Sequence, residues 1–207
     1  YFGTKIIPTG IVYNTKSGKP RPTSWLDLIS PNAKDQVIMP SPLYSGAAVI
    51  HVGTIVAQPE MGWNYYEKLA DNGAVAAKGN GGVLDAVASG QKAYGMIVDF
   101  MAFNGKDKGS PVDFVYPLEG VSMVTEPVAI LKTAKNVEAA KAFVNWLLSD
   151  AGQQYMVVQG YIPGKEGTAG PAGRPGAADL KLMPASTKDI TGETDEIKKK
   201  FSDLFGG

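Results

Sequence analysis

The sequence predicts an α/β fold, in which short strands alternate with helices that cover both faces of a sheet. Hydrophobic residues make up 44% of the 207 residues, which is enough apolar side chain for a folded core. Apolar runs of strand length alternate with stretches of helical spacing, and glycine or proline separates them. Together these two patterns favour an α/β class over an all-helical or all-strand one.

The first half of the chain alternates regularly between the two kinds of element. The predicted strands are residues 11–13, 36–39, 75–78, 94–98 and 112–116, and the predicted helices are residues 25–29, 45–58, 61–72 and 83–89. Gly73 and Gly90 follow two of these helices, where glycine commonly ends a helix. Gly105 to Ser110 is predicted to form a surface turn.

The second half of the chain begins where this alternation pauses. The predicted features are a boundary at 117–127, a strand-like run at 128–131, a long helix capped by Asn136, a helix at 150–159, an irregular loop at 164–176 and a terminal charged helix within 191–205. Ile197, Phe201, Leu204 and Phe205 give that last helix an apolar face that can dock on a core.

Composition excludes several classes of function. Lysine plus arginine and aspartate plus glutamate both number 20, so the chain lacks the basic excess that nucleic-acid binding requires. Cysteine is absent, which excludes thiolate metal sites, thiol catalysis and disulfides. The sequence has neither a P-loop nor a nucleophile elbow, and no apolar run approaches membrane-spanning length. We therefore expect no catalytic residues, no metal ligands and no cofactor.

The most informative constellation is Ser45-Gly46-Ala47, which follows a predicted strand and the loop that begins at Ser41. A helix that starts here presents unpaired backbone N–H groups and the positive end of its dipole at one point. Gly46 lets an anion approach the backbone, and the Ser45 hydroxyl adds a donor, which suits phosphate, phosphonate or carboxylate. Taken locally, the same residues also fit an ordinary serine N-cap without a ligand.

Three further candidates are less specific. Asn80 and Gly81 lie in the loop Gly79-Asn80-Gly81-Gly82, which fits either an anion-binding nest or a plain glycine-rich turn. Asp99 ends an apolar strand and could bind an ammonium or sugar hydroxyls, or simply cap the next turn. Glu119, past another strand end, is either a second ligand acid or a solvated loop charge.

Three other groups favour structural roles. Tyr65 and Tyr66 sit in the middle of a predicted helix, where packing explains them better than metal binding. His51 is the single histidine and lies within the predicted helix, six residues beyond Ser45, so we expect it to pack or hydrogen-bond and not to act as a ligand. The triplet Lys198-Lys199-Lys200 is expected to be a solvated helix face.

The order of several motifs resembles one known family. The matching runs are Ser24-Trp25-Leu26-Asp27-Leu28, Pro40-Ser41-Pro42, Ser45-Gly46-Ala47, Val87-Ala88-Ser89-Gly90 with Tyr94-Gly95, Val115 to Gly120, and Asn136 to Phe143 with Leu148-Ser149 and Gly152-Gln153. In this order and spacing they resemble the periplasmic solute-binding proteins of bacterial ABC importers, in the class that binds ferric iron, 2-aminoethylphosphonate, sugar phosphates or thiamine.

The resemblance implies a type II periplasmic-binding-protein-like α/β fold of two lobes, with the solute in the cleft between them. Residues 10–116 would form the second lobe, and residues 117–207 the crossover, the return segment to the first lobe and the carboxy-terminal helices. Most of the amino-terminal lobe would lie outside this sequence. The resemblance also implies a monomer in the periplasm, or anchored to the cell surface of a Gram-positive organism, that delivers its solute to an inner-membrane ABC permease.

The resemblance also bears on the solute. In iron-binding relatives the helix start that corresponds to Ser45 holds the phosphate that accompanies the metal, which favours Ser45, Gly46 and Ala47 as solute contacts. Those relatives carry adjacent tyrosines where this chain has Phe100-Met101, and neither of these side chains can bind Fe(III) as a phenolate. The implied solute is a small phosphorylated or phosphonate anion such as 2-aminoethylphosphonate or a sugar phosphate. The alternatives are ferric-ion binding through other ligands, an α/β phosphate-handling enzyme, and a fragment with no activity of its own.

Overall fold

A computed structural model describes residues 1–206 and has the predicted α/β architecture. The strands are β1 (Phe2–Asn14), β2 (Val37–Pro40), β3 (Val75–Ala77), β4 (Tyr94–Val98), β5 (Val112–Val115), β6 (Ser122–Val128) and β7 (Ile162–Pro163). The α-helices are α1 (Gly46–Val56), α2 (Gly62–Asp71), α3 (Asn80–Ala88), α4 (Asp99–Asp107), α5 (Val137–Leu148), α6 (Asp150–Val158), α7 (Thr187–Gly192) and α8 (Thr194–Phe205). Short 3₁₀ helices cover Trp25–Ile29, Pro31–Ala33 and Ala177–Asp179.

The chain divides into two compact units. The small unit contains Tyr1–Ile7 and Val124–Leu180, and the large unit contains Pro8–Met123 and the chain from Lys181 onward. Residues 181–206, which contain the carboxy-terminal helices of the predicted segment 117–207, therefore belong with the large unit. The reason is packing, because Phe201 is fully buried against Tyr66 of the large unit, with ring centroids 6.2 Å apart. The assignment of lobes itself stays a prediction.

The large unit is built on strands in the order β3-β2-β4-β1-β5. Strand β2 is parallel to both β3 and β4, with Ile38 opposite Val75 and Gly95. Strand β1 runs antiparallel to both β4 and β5, with Ile11 opposite Met96 and Val115. The parallel strands are joined through helices, as parallel pairs require. This arrangement puts the carboxyl ends of β3, β2 and β4 at one edge of the sheet.

The core of the large unit is rich in aromatic residues. Trp25, Tyr65, Tyr66 and Phe201 are fully buried, and the Tyr65 hydroxyl donates to the backbone oxygen of Trp25 at 2.8 Å. Burial raises the pKa of both tyrosine hydroxyls. The prediction that Tyr65 and Tyr66 have a packing role is confirmed. The predicted docking of the last helix is also confirmed, since Ile197 and Phe201 are buried.

The structure corrects three sequence predictions of local structure. Strand β1 is much longer than residues 11–13. Strand β6 occupies 122–128, where the sequence indicated a pause, and the strand predicted at 128–131 does not extend beyond Val128. Helix α4 covers Asp99–Asp107, which includes part of the predicted surface turn. Proline and glycine caused the first two errors, because Pro8, Gly10 and Pro127 interrupt strands that pairing with neighbours nevertheless stabilises.

The small unit combines the beginning of β1 with helices α5 and α6. Lys5 and Ile6 of β1 pair antiparallel with Pro163 and Ile162 of β7. Gln153, which is 1% exposed, donates through Nε2 to the backbone oxygens of Thr4 (2.9 Å) and Leu147 (2.8 Å). The predicted cap of α5 is confirmed, since the Asn136 side chain accepts from the Ala139 N–H at 3.4 Å. Residues 164–176 form no helix or strand, as predicted.

Gly10→Ala is expected to destabilise the large unit by about 1–3 kcal/mol through overpacking. A Cβ atom at Gly10 would lie 2.5 Å from Phe114 Cζ and 2.6 Å from the backbone oxygen of Val115, so β1 and β5 would have to separate. Urea unfolding followed by circular dichroism measures the loss. Gly192→Ala is the matched control, because a Cβ there meets nothing within 4 Å. Equal stability of the two variants would contradict the prediction.

Candidate functional site

The candidate site lies at the edge of the sheet where the parallel strands β3, β2 and β4 end. Helix α1 begins at Gly46 after β2, α3 begins at Asn80 after β3, and α4 begins at Asp99 directly after β4. The edge is tied together by backbone bonds, since the Ser41 N–H donates to the oxygen of Ala77 at 2.8 Å. The positive ends of these helix dipoles therefore lie at the same edge, which is where open α/β sheets bind ligands.

The start of α1 has the form that the sequence predicted. Ser45 is extended, and its Oγ accepts from the Ala48 N–H at 3.3 Å, so the residue is a true N-cap. This bond uses the hydroxyl as an acceptor and leaves its O–H as a donor. The N–H groups of Gly46 and Ala47 have no acceptor within residues 1–206. A Cβ at Gly46 would meet nothing within 4 Å, so the backbone is open to a ligand.

The loop before α1 is held in place by Ser41, which is 4% exposed. Its Oγ accepts from the Leu43 N–H at 3.2 Å, and its backbone oxygen accepts from the N–H groups of Tyr44 (3.1 Å) and Ser45 (3.2 Å). These bonds of Ser41 fix the loop that leads into the start of α1. The predicted direct contact of Ser41 with a solute stays a prediction.

Asn80 and Gly81 lie in the first turn of α3, which corrects their sequence-based placement in a loop before the helix. Gly79 is the N-cap, and the Val83 N–H donates to its backbone oxygen. Gly81 and Gly82 therefore lie within the helix and do not precede it. The Asn80 Oδ1 accepts from the Val98 N–H at 3.3 Å, which fixes the start of α3 to the end of β4. The amide nitrogen of Asn80 remains as a donor at this edge.

Asp99 is the first residue of α4 and is only 1% exposed. Its Oδ2 accepts from the Tyr116 hydroxyl at 2.9 Å, and its Oδ1 accepts from the Phe100 N–H at 2.6 Å. The residue is therefore at the predicted edge, but its carboxylate is engaged by Tyr116. The Tyr116 ring packs in turn against Phe103 and Phe114, whose rings also contact each other.

Glu119 has a different set of partners from the other candidates. Its carboxylate accepts from the Ser24 hydroxyl and, at 3.3 Å, from the Trp25 N–H. Glu119 therefore supports the start of the 3₁₀ helix that begins at Trp25, where an acid is favoured by unpaired N–H groups. The structure gives it this structural role, and its role as a solute ligand stays a prediction.

Lys78 is a residue that the sequence analysis missed. The register of β2 and β3 sets Pro40 opposite Ala77, so Lys78 comes next to Ser41 at the same edge. Lys78 is exposed, and its Nζ lies 5.9 Å from the centre of the Tyr44 ring, adjacent to Ser45. A cation beside a helix start would strengthen an anion site. Only the pairing of β2 with β3, which the sequence does not specify, brings it there.

His51 is buried in α1 and is not part of this edge. Its Nδ1 is hydrogen-bonded to the Ser122 Oγ at 2.9 Å, and its ring centroid lies 4.7 Å from that of Trp25. Burial lowers the pKa of His51 to about 3. The expectation that His51 packs and hydrogen-bonds is confirmed. Within residues 1–206, no three His, Asp or Glu side chains form a group that could hold a metal ion.

Comparison with solved structures defines the fold. The periplasmic binding protein AfuA from Actinobacillus pleuropneumoniae, solved with fructose-6-phosphate, matches 98% of this chain and 67% of its own length, with a TM-score of 0.85 and 24% identity. Iron-bound HitA from Pseudomonas aeruginosa matches 98% of this chain and 68% of its own length, with a TM-score of 0.76 and 23% identity. The fold is that of the type II periplasmic binding proteins.

Sequence comparison identifies the family. Residues 1–189 match the profile of the bacterial extracellular solute-binding proteins, and the chain belongs to this family. The spermidine/putrescine-binding periplasmic protein of Escherichia coli is 30% identical over 152 residues, which cover 67% of this chain and 42% of the relative. The chain thus spans less than half the length of this curated relative. No helix in residues 1–206 is both long enough and apolar enough to cross a membrane.

Proposed function

We propose that this chain belongs to the periplasmic substrate-binding component of an ABC importer and binds a small phosphorylated or phosphonate anion. The observation that carries the proposal is the start of α1. There, the unpaired N–H groups of Gly46 and Ala47 and the Ser45 hydroxyl converge at an open position. Backbone donors at the positive end of a helix are well suited to a phosphate or phosphonate group.

The neighbouring residues complete the proposed site. Asn80 and Gly81 add donors from the start of α3, and Lys78 adds a full positive charge beside Ser41. Asp99 would take the amine or hydroxyl end of the solute once its bond to Tyr116 is exchanged. Ser41 and Glu119, which the sequence suggested as solute contacts, remain candidate contacts in this proposal. The solute is bound without chemical change, and the partner that receives it is an inner-membrane permease.

The relatives differ in their solutes and do not decide the solute of this chain. AfuA was solved with a sugar phosphate, HitA with iron, and the relative from E. coli is named for spermidine and putrescine. Ferric binding is the second candidate, favoured by the fold of HitA. Phe100 and Met101 disfavour it, because neither side chain offers an oxygen to Fe(III). A polyamine would need several acids at this edge, but α1 and α3 begin with Gly46 and Asn80, and the acid that begins α4, Asp99, is engaged by Tyr116.

Isothermal titration tests this proposal on the gene product that contains the chain. The probes are 2-aminoethylphosphonate, fructose 6-phosphate, inorganic phosphate, ferric phosphate and putrescine. We expect heat of binding with at least one phosphonate or phosphate ester and none with putrescine. Affinity should fall as salt is added, because the interaction is electrostatic. Binding of ferric phosphate alone, or of putrescine alone, would overturn the proposal in favour of the corresponding alternative.

A further inference from the structure

Tyr44 is an exposed aromatic residue at the same edge of the sheet as the candidate site. The residue is 60% exposed, and no other tyrosine within residues 8–123 and 181–206 is exposed. A single exposed apolar side chain is common on protein surfaces and does not by itself indicate a function. Its position distinguishes Tyr44, because the residue directly precedes Ser45, the N-cap of α1.

The backbone of Tyr44 is fixed by the loop that leads into α1. Its N–H donates to the oxygen of Ser41 at 3.1 Å, and the Ser45 N–H donates to the same oxygen at 3.2 Å. Ser41 is joined in turn to the end of β3, since its N–H donates to the oxygen of Ala77 at 2.8 Å. A contact made by the Tyr44 ring would therefore cost little ordering of the backbone, which favours binding.

The side chain of Lys78 meets the Tyr44 ring from the neighbouring helix start. Lys78 directly precedes Gly79, the N-cap of α3, just as Tyr44 directly precedes the N-cap of α1. The Lys78 Nζ lies over the Tyr44 ring, 5.9 Å from its centre, which is near the outer limit of a cation–π contact. Within residues 1–206 Lys78 forms no ion pair with a carboxylate. An anion at these helix starts would thus have both a positive charge and an aromatic ring beside it.

The space beside the two helix starts is open. A Cβ atom added at Gly46, Gly79 or Gly81 would meet nothing within 4 Å. The Tyr44 hydroxyl makes no hydrogen bond and its ring packs on no other aromatic ring in the part of the chain that the structure describes. This edge therefore has room for more than a phosphate group, and much of the tyrosine ring is accessible there.

The chemistry of an aromatic ring indicates which part of a solute it would contact. The ring face is electron-rich and attracts the partly positive C–H groups of a flat apolar surface. With a phosphate on the N–H groups of Gly46 and Ala47, the carbon skeleton would begin close to Tyr44, because consecutive Cα atoms are about 3.8 Å apart. A ring offers such a surface. The chain of 2-aminoethylphosphonate does not, and its ammonium would compete with Lys78 for the tyrosine.

We propose that Tyr44 is a specificity-determining residue of the candidate site and selects phosphate esters whose carbon skeleton is a ring. This inference rests on the proposed function, because it requires a phosphate group at the start of α1. The helix start and Lys78 would bind the anionic group that all phosphate esters share. The face of Tyr44 would pack on the ring, and this contact distinguishes cyclic from acyclic esters.

Isothermal titration on the gene product that contains the chain compares four compounds that share a phosphate group. Fructose 6-phosphate and phenyl phosphate carry a ring, whereas glycerol 3-phosphate and inorganic phosphate do not. The parent protein should bind at least one ring compound about ten-fold more tightly than glycerol 3-phosphate. Tyr44→Ala should remove this preference and change the affinity for the two compounds without a ring by less than about two-fold. Tyr44→Phe keeps the ring and should keep the preference.

Tyr155→Ala is the matched control, because Tyr155 is 48% exposed and lies in α6 of the small unit. It should leave all four affinities unchanged. A loss confined to fructose 6-phosphate would assign a sugar ring to Tyr44, and a loss confined to phenyl phosphate an aromatic ring.

Several results would overturn the inference while leaving the proposed anion site in place. They are no preference for a ring in the parent, no loss or an equal loss for all four compounds in Tyr44→Ala, and a loss in Tyr44→Phe or Tyr155→Ala as large as that in Tyr44→Ala. Failure of all four compounds to bind the parent would instead overturn the proposed function, and this inference with it.

Discussion

Gly46→Asp is expected to weaken the binding of a phosphorylated solute on the order of a hundred-fold, because two like charges about 5 Å apart repel by about 3 kcal/mol at an effective dielectric constant near 20. Gly46 is the first residue of α1 and its position is open, so the carboxylate would occupy the proposed anion position itself. Folding should not suffer, because an acid in the first turn of a helix is favourable. Titration with fructose 6-phosphate measures the loss.

Ala139→Asp is the matched control for this experiment. Ala139 lies in the first turn of α5, is exposed and belongs to the small unit, so the variant carries the same charge at a helix start elsewhere. Both variants should keep or slightly raise the melting temperature, and only Gly46→Asp should lose affinity. Equal affinity of both variants and the parent would place the anion somewhere other than the start of α1.

Acidification below pH 6.5 is expected to destabilise the protein by about 1.4 kcal/mol per pH unit through His51 alone. Burial lowers the pKa of His51 from 6.5 to about 3, so below pH 6.5 the unfolded chain binds a proton that the folded chain does not. The contribution of His51 is complete above pH 6.5 and is lost progressively as the pH falls towards 3. At pH 4.5 the expected loss is about 2.7 kcal/mol.

Urea unfolding at a series of pH values compares the parent with His51→Gln. His51 is the only histidine, so no other histidine titrates near pH 6.5. The glutamine variant should be less stable at pH 7 but should show a shallower dependence on pH between 4 and 6.5. Ser122→Ala keeps the buried ring and should retain the steep dependence. Parallel curves for all three proteins would show that His51 is not the group responsible.

The sequence predicted best those elements whose ends carry local signals. Helix α1 begins after Ser45 as expected, α5 begins after Asn136, and β4 has the predicted bounds Tyr94–Val98. Each of these residues acts through bonds to its own neighbours, such as the bond from the Ala48 N–H to Ser45. Local signals of this kind are visible without knowledge of the tertiary fold.

The elements that the sequence missed depend on distant partners. Helix α4 contains Asn104 and Gly105, which are poor helix formers, and a Cβ at Gly105 would lie 3.2 Å from the Leu84 side chain. Packing against α3 therefore stabilises a segment whose own residues read as a turn. The same reasoning applies to Asn80 and Gly81, which continue α3 although their glycine-rich context predicts a loop.

The candidate site also combines residues that local sequence signals reveal with residues whose roles depend on distant partners. Ser45, Gly46 and Ala47 could be singled out because one helix start contains them all. The engagement of Asp99 by Tyr116 and of Glu119 by Ser24 joins residues far apart in the chain, so no local pattern reveals it. Lys78 was missed for the corresponding reason, since the pairing of Pro40 with Ala77 alone brings it beside Ser41.

The long first strand has a consequence for how the chain is made. Val12 of β1 pairs with Gly95, Ile11 pairs with Val115, and Ile6 pairs with Ile162, so the strand emerges from the ribosome well before any of these partners. At about 5–20 residues per second, roughly 5–20 s separate the synthesis of Ile11 from that of Val115. During that time β1 is an unpaired apolar strand that can associate with other chains. We expect the nascent protein to need a holding chaperone until the sheet closes.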